Sequence, residues 1–462
     1  MIQYDNIQKA MGVDISISTD MSNAIYKWDK IYANKAPWLN EDVKSLQIAA
    51  SVCSEMARLV TNECSILITG SPMADYIAKQ TEHFFQDLPK WVEYACSVGG
   101  AVFKPYIDNT GICIDIVKQG NFFPTAFSGN GKLTGVIFPE FKRKGKNLYT
   151  RLEYHNWDGD TYTIDNRAFV SKKAVVKIDN IIQLGTEINL ERVAEWSNLE
   201  PHVEFKNAVC PLFAYFKIPV ANNVDTESPL GVSVFSRAVD QIKDADEQYG
   251  RTIWEYQSKE TAIQAADEFF KRDRYGKPII PQGKKRLYHA MGPGIADGDK
   301  PFFNAYSPEI RDQSMFNGLN KIKQEIEFKC GLAYGTISDP QIIEKTAEEI
   351  KSSKQRSYST VKAIQNALQN AINDMLDATV AWLTIEPVVP QGKIEVGYDW
   401  DDSLIVDKKY ENEQLRADVS MGAVGLVEYR MKRFGETKEQ AIEMLIQAAE
   451  FDPEPDLDPE EE

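Results

Sequence analysis

The chain has 462 residues, 43% of them hydrophobic, and a formal net charge of −17. This length suggests about three domains with their own cores. Its six cysteines are scattered without a C-x-x-C pair, which argues against a zinc site or a disulfide framework and favours a reducing compartment. The last twelve residues supply seven negative charges, so the rest of the chain still carries −10, and this acidity argues against a protein that grips duplex DNA through Lys and Arg.

Membrane and export signals are not apparent in the sequence. No apolar run approaches the roughly 18 residues that a membrane span needs. The first residues also lack the basic and then apolar order of a signal peptide. We therefore expect a protein without a membrane segment that is made and kept inside a cell.

The first part of the chain predicts helices followed by strands. Apolar residues recur at helical spacing over Leu39–Asn62, with Asn40 as a candidate N-cap. A second helix is expected over Ser71–Ala95, and the composition then becomes strand-like over Ala101–Gln119.

A β-hairpin is predicted further along the chain. Leu148–His155 alternates apolar and polar residues, and a turn with Asp158 and Gly159 follows before strand-like residues resume. Residues 1 to about 228 therefore predict a mixed α+β unit.

Two amphipathic helices are predicted next. The first opens at Pro229 with one apolar face over about seven turns, roughly 40 Å. Its expected partner is Gln313–Cys330, which has an apolar stripe and charges on its other faces. The apolar periodicity of these helices fits two arrangements equally well. The helices could form an antiparallel pair inside one domain core, or they could present a surface that packs against neighbouring subunits. The apolar positions are Phe235, Ala238, Ile242, Ala245, Tyr249, Ile253 and Tyr256 in the first helix, and Met315, Leu319, Ile322, Ile326 and Cys330 in the second.

A basic segment lies between these two helices. Lys271–Arg286 contains seven basic residues and one acid, Asp273, and its glycines and prolines favour loops and short strands over helix. On composition alone, a solvated hairpin and a binding surface are about equally good interpretations. The basic residues are Lys271, Arg272, Arg274, Lys277, Lys284, Lys285 and Arg286.

A loop and a long helix follow the second amphipathic helix. Asp339-Pro340 interrupts any helix, because the residue before proline avoids the α region. Thr346 and Glu349 then form a capping box that fixes a new helix start, and apolar periodicity continues to Leu383. Ala333–Lys345 is therefore expected to be a loop.

The C-terminal part predicts a strand, KIEVGYDW, and then three helices over Lys408–Ser420, Leu426–Phe434 and Thr437–Glu450. The acid- and proline-rich tail beyond Phe451 is expected to be disordered. A group of aspartates after the strand could bind a hard cation, but the spacing is not that of an EF-hand, and turn formation or helix capping explains it more simply. These aspartates are Asp399, Asp401, Asp402 and Asp407.

Catalytic motifs are not apparent either. The chain has no G-x-x-x-x-G-K-[ST] loop, no H-E-x-x-H and no G-x-S-x-G elbow, and its four histidines are not at ligand spacing. We therefore expect a protein that is not an enzyme and that has no catalytic residue, metal site or cofactor.

Six segments follow one another in a recognisable order and together cover most of the chain. They are LNEDVKSLQIAASVCSEMARLVTNE, VEFKNAVCPLFAYFK, SPLGVSVFSRAVDQIKDADEQYGRTIWEYQSK, SPEIRDQSMFNGLNKIKQEIEFKCGLAYGT, KTAEEIKSS and VSMGAVGLVEYRMKRF. This succession resembles the portal proteins of tailed bacteriophages, in the branch of long-tailed phages of Gram-positive hosts. The specificity of the resemblance lies in the order of the segments, because none is a catalytic signature by itself.

The resemblance implies an α+β portal fold with a mixed wing domain, long stem helices, a small β-containing clip and a helical crown, assembled as a dodecameric ring. In this chain it places the N-terminal part of the wing at 1–228, the stem helices at 229–261 and 309–331, the clip at 262–308, the tunnel loop at 332–345, the tunnel-loop helix with the C-terminal part of the wing at 346–405, the crown at 406–451 and a disordered acidic tail at 452–462.

The resemblance also implies three sets of candidate site residues. Near the DNA in the tunnel loop are Tyr334, Asp339, Gln341, Ile342, Glu344 and Lys345. Candidates for lining the channel along the stem are Lys321, Lys323, Glu325, Glu327 and Lys329. The basic residues from Lys271 to Arg286 would bind partners at the clip.

The function implied is a channel at one capsid vertex through which double-stranded DNA is packaged and ejected. Acidic or neutral walls would let DNA pass with little retention. The implied partners are the terminase large subunit, scaffolding and major capsid proteins and a head-completion adaptor, and the implied location is the virion, after assembly in the host cytoplasm. Two alternatives stay open: a metal-dependent nuclease or hydrolase using the aspartates at Asp399–Asp402, and a capsid or adaptor protein that forms no channel.

Overall fold

A computed structural model describes residues 4–62, 64–172, 184–258, 262–265, 271, 273–277, 288–290, 296–297, 300–301, 303–306, 309, 311–340, 347–400, 415–434, 438, 441–442 and 444–446. These residues belong to two compact units, Met1–Trp400 and Asp401–Glu462. The fold is mixed α+β, as the sequence predicts.

The described residues of the first unit include eight α-helices. Ser18 and Ser71 start two of them by accepting the backbone N–H of Met21 and Ala74, as N-cap serines do. The helices with bounds in the described residues are α1 Tyr4–Met11, α2 Thr19–Tyr32, α3 Ile48–Thr61, α4 Pro72–Gln86, α5 Leu88–Val98, α6 Val239–Ser258, α7 Asp312–Cys330, α8 Ala347–Ile385 and, in the second unit, α9 Leu426–Phe434.

The strands of the first unit form several small sheets and one large one. In the described residues they are β1 Cys64–Thr69, β2 Gly100–Asp108, β3 Gly111–Lys118, β4 Phe123–Phe127, β5 Leu133–Lys144, β6 Asn147–Trp157, β7 Tyr162–Ser171, β8 Thr186–Ile188, β9 His202–Phe205, β10 Ala214–Lys217, β11 Ala262–Ala265, β12 Tyr288–Ala290, β13 Ala296–Asp297, β14 Lys300–Pro301, β15 Phe303–Tyr306 and β16 Glu395–Trp400.

Two of the N-terminal helix predictions need correction. The helix predicted from Leu39 begins only at Ile48, because Asn40 accepts two amides of its own turn and caps no helix. The helix predicted over Ser71–Ala95 is two helices separated at Asp87. Pro89 explains the break, since a proline within a continuous helix would remove a hydrogen bond and clash with the preceding turn, whereas the first turn of α5 tolerates it.

The large sheet has the strand order β4-β5-β6-β7-β8, and β9 pairs with β7. The predicted hairpin is confirmed as β6 and β7, with the Asp158 carboxylate accepting the amides of Asp160 and Thr161 in the turn. Neighbouring side chains of β5 point to opposite faces of the sheet. Ile137 packs in a hydrophobic cluster with Ile7 of α1, whereas Val136 packs in a second hydrophobic cluster. The sheet is therefore buried on both faces.

Four further sheets lie in the described residues of the first unit, and two of them join strands that are far apart in the chain. Within the predicted strand region, β2 and β3 form an antiparallel hairpin, and β10 joins β2 on its other side. The C-terminal strand prediction is confirmed as β16, which pairs antiparallel with β1, from Cys64 opposite Trp400 to Thr69 opposite Glu395. This two-stranded ribbon joins an early segment of the unit to its last one.

The first amphipathic helix is shorter than predicted. α6 begins at Val239, so Pro229 does not open a helix, and its 20 residues span about 30 Å. The residues between Pro229 and Val239 form no α-helix, since Ser233 and Val234 both donate to the carbonyl oxygen of Cys96 at the end of α5, and Ser236–Ala238 form a single 3₁₀ turn before α6. Hydrogen bonds to another element thus replace the first turns of the predicted helix.

Short strands, with no helix in the described residues, lie between α6 and α7. β11 pairs in parallel with β12 and antiparallel with β15, and β13 pairs with β14. Within the predicted segment Lys271–Arg286, the described residues 271 and 273–277 are loop and turn without helix, and the short strands lie on either side of it. In the second unit, α9 has the predicted bounds, residues 415–420 are helical, and Gly422 adopts a φ of 73° after them. The tail at 452–462 lies outside the described residues.

Candidate functional site

Helices α6 and α7 form an antiparallel pair. At one end, Arg311 next to the start of α7 contacts Glu255 near the end of α6. At the other end, Lys329 near the end of α7 donates to Gln241 near the start of α6, with a distance of 2.6 Å. The apolar stripe of α7 is buried at Ile326, so the predicted pairing of these helices is confirmed.

The five charged residues proposed to line a channel differ in exposure. Lys321 and Glu325 are exposed, whereas Lys323 and Lys329 are half-buried, and Lys329 is hydrogen bonded to α6. Glu327 is 0% exposed. A side chain buried inside its own subunit presents nothing to a channel, so the channel-lining role predicted for Glu327 is wrong.

The carboxylate of Glu327 is instead surrounded by the loop that follows α7. Its Oε1 accepts the backbone N–H groups of Ile337 at 2.6 Å and Ser338 at 2.8 Å. Its Oε2 accepts the Ser338 hydroxyl at 2.8 Å and the N–H of Gly335 at 3.2 Å. All four donors therefore come from Gly335–Ser338, and we call this arrangement the Glu327 cradle.

The cradle resolves an energetic problem. Removing a carboxylate from water costs several kcal/mol unless its lone pairs find donors. Hydrogen bonds to a charged group contribute about 1.5–3 kcal/mol each, so four of them offset this cost. Burial and then the nearby charge of Glu327 raise the pKa of the adjacent Cys330 thiol to about 12, which keeps that thiol neutral.

The loop itself is shaped by glycine and by a second acceptor on α7. Gly331 ends α7 with a φ of 73°, and a Cβ there would lie 2.5 Å from the Thr360 hydroxyl of α8. Farther along the loop, Asn320 accepts the N–H of Asp339 at 2.7 Å. Asn320 and Glu327 are seven residues apart, so both side chains lie on nearly the same face of α7. Residues 331–340 contain no α-helix, as predicted.

Only two of the six candidate loop residues can be located. Tyr334 is half-buried, and the guanidinium of Arg356 in α8 lies 5.2 Å from the centre of its ring and 4.5 Å from that of Phe328. Asp339 is exposed and follows the cradle. The other four, Gln341, Ile342, Glu344 and Lys345, lie outside the described residues.

The helix after the loop is long. α8 runs for 39 residues, or about 58 Å, and the proposed capping residue Thr346 lies just outside the described residues. Its predicted apolar face is confirmed, since Ile364, Leu368 and Ile372 are fully buried. The Gln365 amide also donates to the carbonyl oxygen of Val60 in α3, which ties α8 to the N-terminal helices.

Part of the basic segment is an exposed turn. The Asp273 carboxylate accepts the N–H groups of Tyr275 and Lys277, and Arg274 lies over the Tyr275 ring at 4.9 Å. Lys271, Arg274 and Lys277 are exposed. Arg272, Lys284, Lys285 and Arg286 lie outside the described residues.

A cleft that sequence reasoning did not find opens between β10 and α8. Its volume is about 590 Å³, and its walls include Lys217 and Asp374. Burial lowers the pKa of Lys217, whereas Asp374 forms an ion pair with Lys132 at 2.7 Å. No motif marks these residues, because the cleft joins segments that are far apart in the chain.

Metal-binding and membrane-spanning features were sought among the described residues because the sequence leaves a cation-binding alternative open. There, no group of three or more His, Cys, Asp or Glu residues is placed to hold a metal ion. Asp399 is exposed on β16, and Asp401, Asp402 and Asp407 lie outside the described residues. Among the described helices, none is both long and apolar enough to cross a membrane.

Comparison with known proteins leaves the family open. No protein-family model matches the chain, and no curated protein matches it significantly.

Proposed function

We propose that this chain is the subunit of a phage portal, a ring at one capsid vertex through which double-stranded DNA is packaged and ejected. The observation that carries the proposal is the arrangement around α7. An antiparallel helix pair encloses an excursion with short strands, and an anchored loop then leads into a 39-residue helix. This is the order of stem, clip, stem, tunnel loop and long helix that the sequence resemblance implies.

The parts of the subunit would divide the work as follows. The stem helices α6 and α7 of neighbouring subunits surround the channel, with the exposed Lys321 and Glu325 among the candidates that face DNA. The loop after α7 narrows the channel. The exposed basic turn at 273–277 belongs to the clip, which docks the terminase motor during packaging and head-completion proteins afterwards.

The net charge of the subunit favours a channel through which DNA slides over a protein that binds DNA tightly. With a net charge of −17, the subunit is not built to neutralise many phosphates at once. Weak retention is what a channel requires, because DNA must slide through it in both directions. The remaining partners of the proposed portal are scaffolding and major capsid proteins, in the host cytoplasm during assembly and in the virion afterwards.

Native mass spectrometry and electron-microscope class averages of the purified protein test the proposal. A chain of 52.3 kDa predicts a dodecamer of about 630 kDa. A closed ring near this mass with an axial hole is the expected result. A compact closed particle without an axial opening would overturn the proposal.

A further inference from the structure

The Glu327 cradle has a property that an ordinary loop contact lacks. All four of its hydrogen bonds end on one carboxylate, and all four begin in the four consecutive residues Gly335–Ser338. The next amide, that of Asp339, is bound by Asn320, one further acceptor of the same helix. The loop is therefore attached to α7 by five hydrogen bonds along one face.

The start of the loop is held differently. Arg356 of α8 stacks on Tyr334, and Gly331 packs against Thr360. The N–H of Leu332 also donates to the backbone carbonyl oxygen of Glu327, which continues the bonding of the last turn of α7. The bonds to the Glu327 carboxylate lie farther along the loop and are charge-assisted, so they fix the position of Gly335–Ser338.

We propose that Glu327 is a positioning residue that makes the loop Gly335–Ser338 and helix α7 a single body, so that the loop moves only when α7 moves. The part that this loop plays in a channel rests on the proposed function. In that setting, a shift of α7 that begins near Arg311 would be carried directly to the narrow part of the channel.

The carboxylate is specifically required because donors converge on both of its oxygens. In Glu327→Gln one oxygen becomes an NH₂ group, which has no lone pair to offer to a backbone N–H of the loop, whereas the Ser338 hydroxyl can rotate and accept from it. Size and shape are otherwise retained. The substitution therefore removes the negative charge and at least one of the backbone hydrogen bonds of the cradle without opening a cavity.

Hydrogen exchange followed by mass spectrometry tests the proposal on the full-length protein. In the native chain, the amides of Gly335, Ile337 and Ser338 should exchange together with those of the last turns of α7. In Glu327→Gln the loop amides should exchange at least tenfold faster, while the α7 amides keep their rates. Ser338→Ala, which removes one donor side chain, should give a smaller increase confined to the same loop.

Glu325→Gln is the matched control, because it is the same substitution on the same helix at an exposed position, and it should change neither set of amides. The proposal fails if the loop amides already exchange faster than those of α7 in the native chain, or if Glu327→Gln leaves them unchanged. It also fails if Glu327→Gln accelerates loop and helix equally, since Glu327 would then be a general core residue. The exchange measurement needs no ring, so its failure is distinct from failure of the portal proposal.

Discussion

Arg311 and Glu255 join the open ends of α6 and α7 through two parallel hydrogen bonds. Nε of Arg311 donates to Oε1 of Glu255 at 3.1 Å, and an Nη donates to Oε2 at 3.0 Å. The Glu255 side chain is only 2% exposed, whereas that of Arg311 is 71% exposed. The guanidinium thus lies at the surface and covers a buried carboxylate.

Arg311→Ala should lower the melting temperature, because it removes the guanidinium that pairs with the Glu255 carboxylate while much of that carboxylate stays buried. Arg311→Lys should be intermediate, since one ammonium cannot donate two parallel bonds. Calorimetry of the purified protein measures both. Arg251→Ala is the control, because the ion pair of Arg251 with Glu247 is long, at 3.7 Å, and lies at the surface. An effect as large as that of Arg311→Ala would contradict the expectation.

Stability should fall as the pH falls from about 6.5. His155 is buried, and burial lowers its pKa from the ordinary 6.5, so the unfolded chain takes up a proton that the folded chain refuses. Burial alone would raise the pKa of the neighbouring Glu153, but Lys104, His155 and Arg151 lower it well below the ordinary 4.5. Its contribution is therefore present above pH 4.5 and is lost as the pH falls through its folded value.

Urea titrations between pH 7 and pH 4 check this prediction, with a slope of up to about 1.4 kcal/mol per pH unit for each proton involved. His202 is an informative control because its sign is opposite. Its hydrogen bond to Asp165 raises its pKa, so it stabilises the fold at low pH and less as the pH rises. His202→Gln should therefore steepen the loss of stability on acidification, and a flatter profile would contradict the assignment.

Gly99→Ala should destabilise the first unit by about 2 kcal/mol or more. Gly99 has a φ of 103°, and a Cβ there would lie 2.3 Å from the carbonyl oxygen of Gly231, a backbone atom that cannot simply move aside. Gly129→Ala is the control, because a Cβ there meets nothing within 4 Å. Chemical denaturation of both variants separates the effects, and equal stabilities would show that the two backbones are not in close contact.

Deleting residues 341–345 should leave rings intact but impair DNA packaging or retention, if the loop narrows a channel. The deletion stops short of Ser338 because that residue belongs to the Glu327 cradle. Ring formation is checked by electron microscopy and DNA content by nuclease protection. Normal packaging by this variant would count against the role proposed for the loop.

Local patterns account for the elements that were predicted well. α7 has a regular apolar stripe and ends at Gly331, so its bounds were visible in the sequence. The hairpin of β6 and β7 was equally visible, because alternation and an Asp-Gly turn both mark it. The prediction that a helix begins at Pro229 is wrong, although proline suits the first turn of a helix. The hydrogen bonds from Ser233 and Val234 to Cys96 prevent that helix, and a local pattern cannot show them because Cys96 is distant in the sequence.

The Glu327 cradle shows why the candidate site was harder to predict than the helices. On a helical wheel, a glutamate among charged neighbours is assigned to an exposed face. What buries Glu327 is a loop that folds back and offers backbone N–H groups, which every sequence possesses. The only hint is the glycine and serine content of Gly335–Ser338, and that alone does not distinguish a cradle from an ordinary turn.

The pairing of β1 with β16 has a consequence for synthesis of the protein. Residues 64–69 emerge from the ribosome when most of the chain is still untranslated, yet their partners are residues 395–400. The nascent chain therefore carries an unpaired strand, including Leu67, which is 63% exposed even in the finished fold. The β1–β16 ribbon of the first unit can form only after translation has passed Trp400. A truncated product that ends before this residue therefore keeps an unpaired strand edge that is prone to aggregation.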